Sequence, residues 1–180
     1  MTATLTTERL VLRPLTQEDA PVVRSLCGNW AVARMLARVP HPYPEGLAEE
    51  WIAGHEADRA TGTAFRFALQ FESALVGVIG LEKKESGDFE LGYWLGEPWW
   101  GRGLMSEAAR RVVAFAFEEL GAPGLGASHF LDNPASGRIL ESCGFRQTDR
   151  TQDWSQSRGR ADPARRLVLA RADYEARLAS

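Results

Sequence analysis

The chain has 180 residues, 44% hydrophobic and 25% charged, with a formal net charge of −3, which is ordinary for a globular protein able to bury one substantial core. The mildly acidic balance argues against a general nucleic-acid binder. Two distant cysteines (Cys27 and Cys143) argue against a disulfide framework or zinc site, and scattered His41, His55 and His129 against a structural metal. Met1 to Glu8 lacks a signal-peptide pattern and no apolar run nears the about 18 residues that span a bilayer, so a cytoplasmic protein with no membrane contact is expected.

Arg9–Arg13 alternates polar and apolar and Pro14 closes it, which predicts a short strand. Thr16-Gln17-Glu18-Asp19 resembles a capping box, so a helix should run from about Asp19 to Cys27. The three prolines of Val39-Pro40-His41-Pro42-Tyr43-Pro44 force an extended loop. A second helix is expected from about Leu47 to Asp58, with Leu47, Trp51, Ile52 and His55 on one face. Phe65–Phe71 and Ala74–Leu81, separated by Glu72-Ser73, read as a hairpin. Ser86-Gly87-Asp88 turns the chain into a third antiparallel strand, Phe89–Leu95.

A glycine-rich turn follows, Trp99-Trp100-Gly101-Arg102-Gly103, and runs into an amphipathic helix. Its apolar positions are Met105, Ala109, Val112, Val113, Ala116, Phe117 and Leu120, and Gly121 stands where it should stop. A strand is expected near Gly126–Leu131, with His129 packed on it. Asn133-Pro134 is an N-cap and first helical residue for a helix carrying Ile139, Leu140 and Cys143 inward and ending at Gly144. The basic run Arg158, Arg160, Arg165 and Arg166, interrupted by Asp162, reads as a solvated hairpin, and Arg166–Ala170 as a final strand. The pattern predicts a single α+β domain over residues 7–172 and a short tail over 173–180.

A strand, a glycine turn and a helix N-terminus point backbone N–H groups at a phosphate. A Rossmann fingerprint needs a third glycine where Ser106 stands, and a P-loop needs a Gly-Lys-Ser/Thr that does not occur. A pyrophosphate held by backbone N–H groups alone remains.

Trp100-Gly101-Arg102-Gly103-Leu104-Met105 resembles the acetyl-CoA pyrophosphate loop of the GNAT N-acetyltransferase superfamily, Gln/Arg-x-x-Gly-x-Gly/Ala. Asn133-Pro134-Ala135-Ser136 leading to Gly144-Phe145 resembles its later Asn-x-x-Ser … Gly-Phe motif. Thr7–Arg13 and Pro40–Pro44 resemble the RimJ/RimL-type branch, which contains ribosomal-protein N-terminal acetyltransferases. Trp100 and Met105 depart from the loop pattern, and Leu140 stands where many members carry a general-acid tyrosine. The resemblance implies a mixed, mostly antiparallel sheet flanked by helices and splayed at the acetyl-CoA site. It implies an enzyme moving acetyl from acetyl-CoA to a primary amine, either a peptide N-terminus or a small molecule, without metal or nucleic acid. A homodimer is left open.

Residue by residue, the resemblance assigns pyrophosphate contacts to Gly101, Arg102, Gly103, Met105 and Ser106, and the pantetheine arm to the backbone near Trp94 and Leu95. Asn133 caps its helix, either alone or together with a contact to the donor, and Ser136 either gives a proton to the departing thiolate or bonds the backbone of its own helical turn. Gly92 suits a bulge at the splay. Glu90 is the first candidate base and Glu82 the second, each open to the alternative of a solvated strand-edge carboxylate. Tyr43, with Trp30 and Trp51, lines the acceptor pocket or packs in the core. A catalytically weak acyl-CoA-binding module is the rival reading.

Overall fold

The sheet is built by the alternations read above, plus two strands that the sequence does not announce. The computed structural model describes residues 4–179. In chain order the elements are β1 (Leu5–Thr6), β2 (Leu10–Pro14), α1 (Ala20–Cys27), α2 (Trp30–Ala33), α3 (Leu47–Ala53), α4 (His55–Thr61), β3 (Ala64–Phe71), β4 (Ala74–Lys83) and β5 (Phe89–Leu95). Then follow α5 (Leu104–Ala114), β6 (Gly124–Phe130), α6 (Pro134–Ser142), β7 (Arg146–Ser155), β8 (Arg160–Ala170) and α7 (Arg171–Leu178). The eight strands form one sheet in the order β1-β2-β3-β4-β5-β6-β8-β7. Every neighbouring pair is antiparallel except β5–β6.

The strand period of two sorts side chains onto two faces. Phe89, Leu91, Tyr93 and Leu95 join the larger core, where α5 brings Leu104, Met105, Ala108, Ala109, Val112 and Val113. Trp94 goes to the opposite face and packs with Ala68, Val78 and the inner sides of α1 and α3. Gly92 and Glu90, two and four positions back from Trp94, share that second face. Asp19 anchors α1: its carboxylate takes a fork from Arg13 (2.8 and 2.8 Å) and the Thr16 N–H at 2.8 Å.

Four expectations need correction. The helix over Leu47–Asp58 is two helices meeting at Gly54, a poor helix former, with the Trp51 ring edge-on to His55 at 4.5 Å. The long helix widens after Ala114 into a π turn, Phe115–Glu119. The three consecutive residues Phe115, Ala116 and Phe117 are all buried there, Phe115 against Phe65 and Phe67, and Phe117 stacked on Tyr174. The short tail expected from residue 173 is helical up to Leu178, as part of α7, whose Tyr174 donates to Glu118 at 2.6 Å. Finally, the hairpin of β7 and β8 is not simply solvated. Arg158 at its turn is 8% exposed and binds Asp162 (2.8 Å) and Asp132 (2.9 Å), with Arg34 O at 2.6 Å.

None of the described helices is long and apolar enough to cross a membrane. His55 is buried, and neither ring nitrogen meets a protein hydrogen-bond partner. Burial, then the nearby Arg66 charge, pushes its pKa down to about 4, against a smaller opposing effect of Asp58. The unfolded chain therefore binds a proton here before the native one does. Stability should be unaffected above pH 7 and fall as pH drops from about 6.5 to about 4, by about 3 kcal/mol at most. Urea unfolding at pH 7 and pH 4.5 checks this, since His55→Phe should lose that part of the acid sensitivity. An unchanged pH slope in His55→Phe would refute it.

Candidate active site

Among the described strands the β5–β6 pair is the only parallel one, and it is registered at two positions, Phe89↔Leu125 and Glu90↔Gly126. Beyond them each strand keeps its other neighbour, β5 pairing β4 up to Leu95 and β6 pairing β8 up to Phe130. A wedge therefore opens in the sheet from Leu91 onward. Main-chain groups alternate along a strand. Lys84 N donates to Asp88 O at 2.8 Å and Gly96 N to Val76 O at 2.8 Å, which turns the even positions of β5 to β4. The Leu91 N–H closes the last bridge to β6, and the Leu91 carbonyl and the main-chain groups of Tyr93 and Leu95 consequently face the wedge. Trp94, expected to offer such groups, has its carbonyl against Gly77 of β4 instead. The Leu95 carbonyl accepts from the Trp100 indole at 2.7 Å, which leaves its N–H for the wedge.

The glycine turn lies at the open end of that wedge. Gly101 (φ +73°) and Gly103 (φ +75°) both hold the left-handed conformation that costs an L side chain strain. Glu107 N donates to Gly103 O at 3.1 Å as α5 begins. The N–H groups of Leu104, Met105 and Ser106 precede the first helical bond and are free to meet an anion. Met105, whose bulk departs from the family pattern, sends its side chain into the core and leaves only its backbone at the turn. The Arg102 guanidinium lies over the Phe71 ring at 4.7 Å.

A clamp that sequence reasoning missed fixes this turn. Glu107, in the first turn of α5, accepts from Thr7 Oγ1 (2.5 Å), Arg9 N (2.8 Å) and Arg9 Nε (2.7 Å), while Arg9 Nη1 donates to Arg102 O at 3.0 Å. Burial disfavours the Glu107 charge, but the bonds from Thr7 and Arg9 outweigh it and hold the carboxyl below the usual range. The clamp thus offsets a negative charge beside a surface built for anions.

Across the wedge, Asn133 caps α6 by accepting from Ser136 N at 3.2 Å, as expected. Ser136 meets Tyr93 of β5: the two hydroxyls are 2.9 Å apart, and Tyr93 also donates to Ser136 O at 3.1 Å. Leu140 is fully buried in the core. His129 is packed, with Nδ1 2.8 Å from Phe130 O.

Glu82 and Glu90 stand directly opposite each other on β4 and β5, a like-charge pair that is destabilising unless neutralised. Each has its own arginine. Arg166 grips Glu90 through both oxygens at 2.9 and 2.8 Å, and the pair lies over the buried Gly126. Arg38 binds Glu82 at 2.8 Å, and that hydrogen bond lowers the Glu82 pKa. Glu90 is therefore no free carboxylate, and Arg166 belongs to the site rather than to a solvated basic run. Beside them, Gly80 and Gly92 pair across the strands, and a Cβ on Gly92 would meet nothing within 4 Å. Tyr43 and Trp51 pack on the smaller core, while Trp30 is 45% exposed and leans on His41. Burial pushes the Tyr43 hydroxyl up to about 12 and the Cys27 thiol up to about 12, and also raises Cys143.

The sequence profile of the acetyltransferase (GNAT) domain matches residues 9–146. The chain belongs to the GNAT acetyltransferase family. This acetyltransferase is 29% identical over 178 residues to an uncharacterized N-acetyltransferase, p20, of Bacillus licheniformis, covering 95% of the present chain and 98% of that one. It is 28% identical over 162 residues to the [ribosomal protein uS5]-alanine N-acetyltransferase of Escherichia coli, covering 83% and 81%. Its fold is that of RimL, a ribosomal L7/L12 α-N-protein acetyltransferase solved with coenzyme A, at a TM-score of 0.82 and 16% identity, over 93% of this chain and 98% of that one.

Two substitutions check the acetyltransferase's glycine turn. Gly103→Val should weaken acetyl-CoA binding by about 10-fold or more, because a left-handed β-branched residue costs about 1–2 kcal/mol and must be relieved by moving the loop. Arg9→Ala should weaken it by about fivefold through the uncompensated Glu107 carboxylate, more so at low salt. Calorimetry with acetyl-CoA reads both, and unchanged affinity in the folded variants would show that the turn is not the donor site.

Proposed function

We propose that this acetyltransferase carries the acetyl group of acetyl-CoA to a protein N-terminal α-amine, by direct attack and in the cytoplasm. The observation that carries the reading is the junction of two unfilled sets of donors and acceptors. The outward Leu91 carbonyl, the N–H and carbonyl of Tyr93 and the Leu95 N–H continue into the free N–H groups of Leu104, Met105 and Ser106. An extended arm ending in a pyrophosphate fits that track, as an added strand with its anion on a helix N-terminus. Such an arm runs from the glycine turn toward the closed end of the wedge and brings its thioester beside Tyr93 and Leu91. Glu90, Glu82 and the open space over Gly92 lie on the other face, where the amine arrives.

The residues then divide the chemistry. Both cysteines are buried with raised pKa values, so neither supplies the thiolate that an acyl-enzyme route needs. An α-amine, with an ordinary pKa of about 8, is part neutral at physiological pH and can attack the thioester carbonyl itself. Glu90 draws the cationic amine and steadies positive charge on the attacking nitrogen. Since both its oxygens already accept from Arg166, taking the proton requires giving up one of those bonds. A water held by Glu90 or Glu82 meets the same need. Ser136, in the first turn of α6, faces the leaving sulfur. The similarity to an enzyme named for a ribosomal-protein alanine favours a peptide acceptor with that first residue.

The occupied carboxylates and the leucine at position 140 favour one rival, a module that binds acyl-CoA with little turnover. Thiol release from acetyl-CoA separates the two, using unblocked alanine-terminated peptides, polyamines and aminoglycosides as acceptors. The enzyme reading expects release with at least one peptide, and silence across the whole panel with intact acetyl-CoA binding would leave the rival. With the active acceptor, Glu90→Gln should lower kcat by about 10²-fold while acetyl-CoA affinity stays within twofold. Normal turnover in Glu90→Gln would remove Glu90 from the chemistry.

A further inference from the structure

The wedge is crossed by one polar link that the reading above does not use. Tyr93 sits on β5 and its hydroxyl reaches α6, the helix that follows β6, so it ties together the two halves of the sheet where their main chains have parted. Its ring packs on the larger core, and its hydroxyl can direct the O–H to either of two acceptors on Ser136. Two arrangements share the same heavy-atom positions. In one, Tyr93 donates to Ser136 O at 3.1 Å and the Ser136 hydroxyl donates to Tyr93. In the other, Tyr93 donates to Ser136 Oγ at 2.9 Å and the serine hydrogen is released to point elsewhere.

We propose that Tyr93 is a positioning residue that aims the Ser136 hydroxyl at the sulfur of the departing thiolate. The proposal rests on the reading of the wedge as the acetyl-CoA site with Ser136 at the leaving group. The nitrogen–carbon bond forms, the carbon–sulfur bond breaks with its electron pair on sulfur, and Ser136 Oγ–H donates a hydrogen bond to that anion. Tyr93 simultaneously turns its own O–H onto Ser136 Oγ, which strengthens the serine as a donor. The pair loses no proton, because the proton that completes free CoA-SH is the one shed by the attacking nitrogen and carried by solvent. Burial keeps Tyr93 protonated by raising its pKa above the ordinary phenol value, outweighing the opposing bond from Ser136.

The test compares Tyr93→Phe, Ser136→Ala and the double variant. With the active peptide from the acceptor panel, each single change should lower kcat by about fivefold to tenfold, the loss expected for one hydrogen bond, with KM for acetyl-CoA within twofold. The double variant should be no worse than Ser136→Ala, because Tyr93 acts through the serine. A second reading needs no acceptor: the wild-type protein should bind CoA severalfold more tightly than desulfo-CoA, and both single variants should lose that preference. If Ser136→Ala is impaired while Tyr93→Phe keeps its kcat and its preference for CoA, or if the two losses multiply, the proposal is overturned. If Ser136→Ala itself keeps both, the fault lies in the placement of Ser136. If acetyl-CoA does not bind the wild-type protein, it lies in the reading of the wedge. Should Tyr93→Phe fold poorly, site-specific 3,5-difluorotyrosine at position 93 replaces it. Its lower phenol pKa should move the alkaline limb of kcat to lower pH, and an unmoved limb would also overturn the proposal.

Discussion

The constraint on which the rest depends is the early end of the β5–β6 pairing. A parallel neighbour cannot be reached by a short hairpin, and here the connection is the whole of the glycine turn, α5 and the π turn. The two strands are held at their other edges, β5 by seven registered pairs with β4 and β6 by seven with β8. Each half follows its own twist, so the shared edge closes at Glu90↔Gly126 and then parts. Main-chain groups left without partners away from water cost about 1–3 kcal/mol each. The fold tolerates that row because it borders the exposed turn, because the Trp100 indole takes the Leu95 carbonyl, and because the Tyr93 hydroxyl ties the parted halves. An opening that would be a defect in an ordinary sheet thereby becomes an edge with unused bonding capacity.

Charge is arranged around that opening by pairing, not by removal. Glu107 would oppose an anion at the start of α5, and Glu82 would oppose Glu90 across two strands. In each case an arginine distant in sequence supplies the counter-charge: Arg9, Arg38 and Arg166. The pairs differ in what they permit. Arg9 and Thr7 use both oxygens of Glu107, which suits a carboxylate whose task is to hold the turn. Glu90 is only 18% exposed and is also doubly held, but its arginine is 38% exposed, so that pair borders solvent.

What the sequence made legible was local. The strand Phe89–Leu95, the Asn133 cap, the left-handed stop at Gly121 and the glycine turn were all visible, because each depends on residues within a few positions of one another. What it hid was set by distant partners. β7 escaped notice because Arg146–Ser155 is an almost wholly exposed edge strand whose polar side chains guard against further pairing and so break the alternation. α7 escaped because Tyr174 is its one buried residue. The partners of Glu90 and Glu107 lie 76 and 98 to 100 residues away, beyond any spacing rule. Tyr93 did carry a signal, since strand parity puts it on the same face as Leu91 and Leu95, toward α5 and α6. The sequence reading followed Glu90 and Trp94 on the other face instead.

The hairpin of β7 and β8 shows how a surface feature reaches the wedge. Its turn is pinned by Arg158 to Asp132, directly before the Asn133 cap of α6, and by Arg158 and Ser157 to the carbonyls of Arg34 and Ala33 at the end of α2. Gln156 N donates to Ala37 O at 2.9 Å, one residue from the Arg38 that binds Glu82. The same hairpin carries Arg166, the partner of Glu90, on β8. The Arg158 guanidinium therefore couples the start of α6 and the end of α2 to the strand bearing Arg166, and Gln156 beside it holds the loop bearing Arg38. The α6 side of the wedge and the side bearing Glu82 and Glu90 are held by separate layers of the fold, and the hairpin turn at Arg158 is where those layers are tied. Because that side chain is nearly inaccessible and its ion pairs are partly desolvated, the tie resists salt better than the exposed Arg38–Glu82 contact does. The face bearing Arg38 and Glu82 is then the one that ionic strength loosens first.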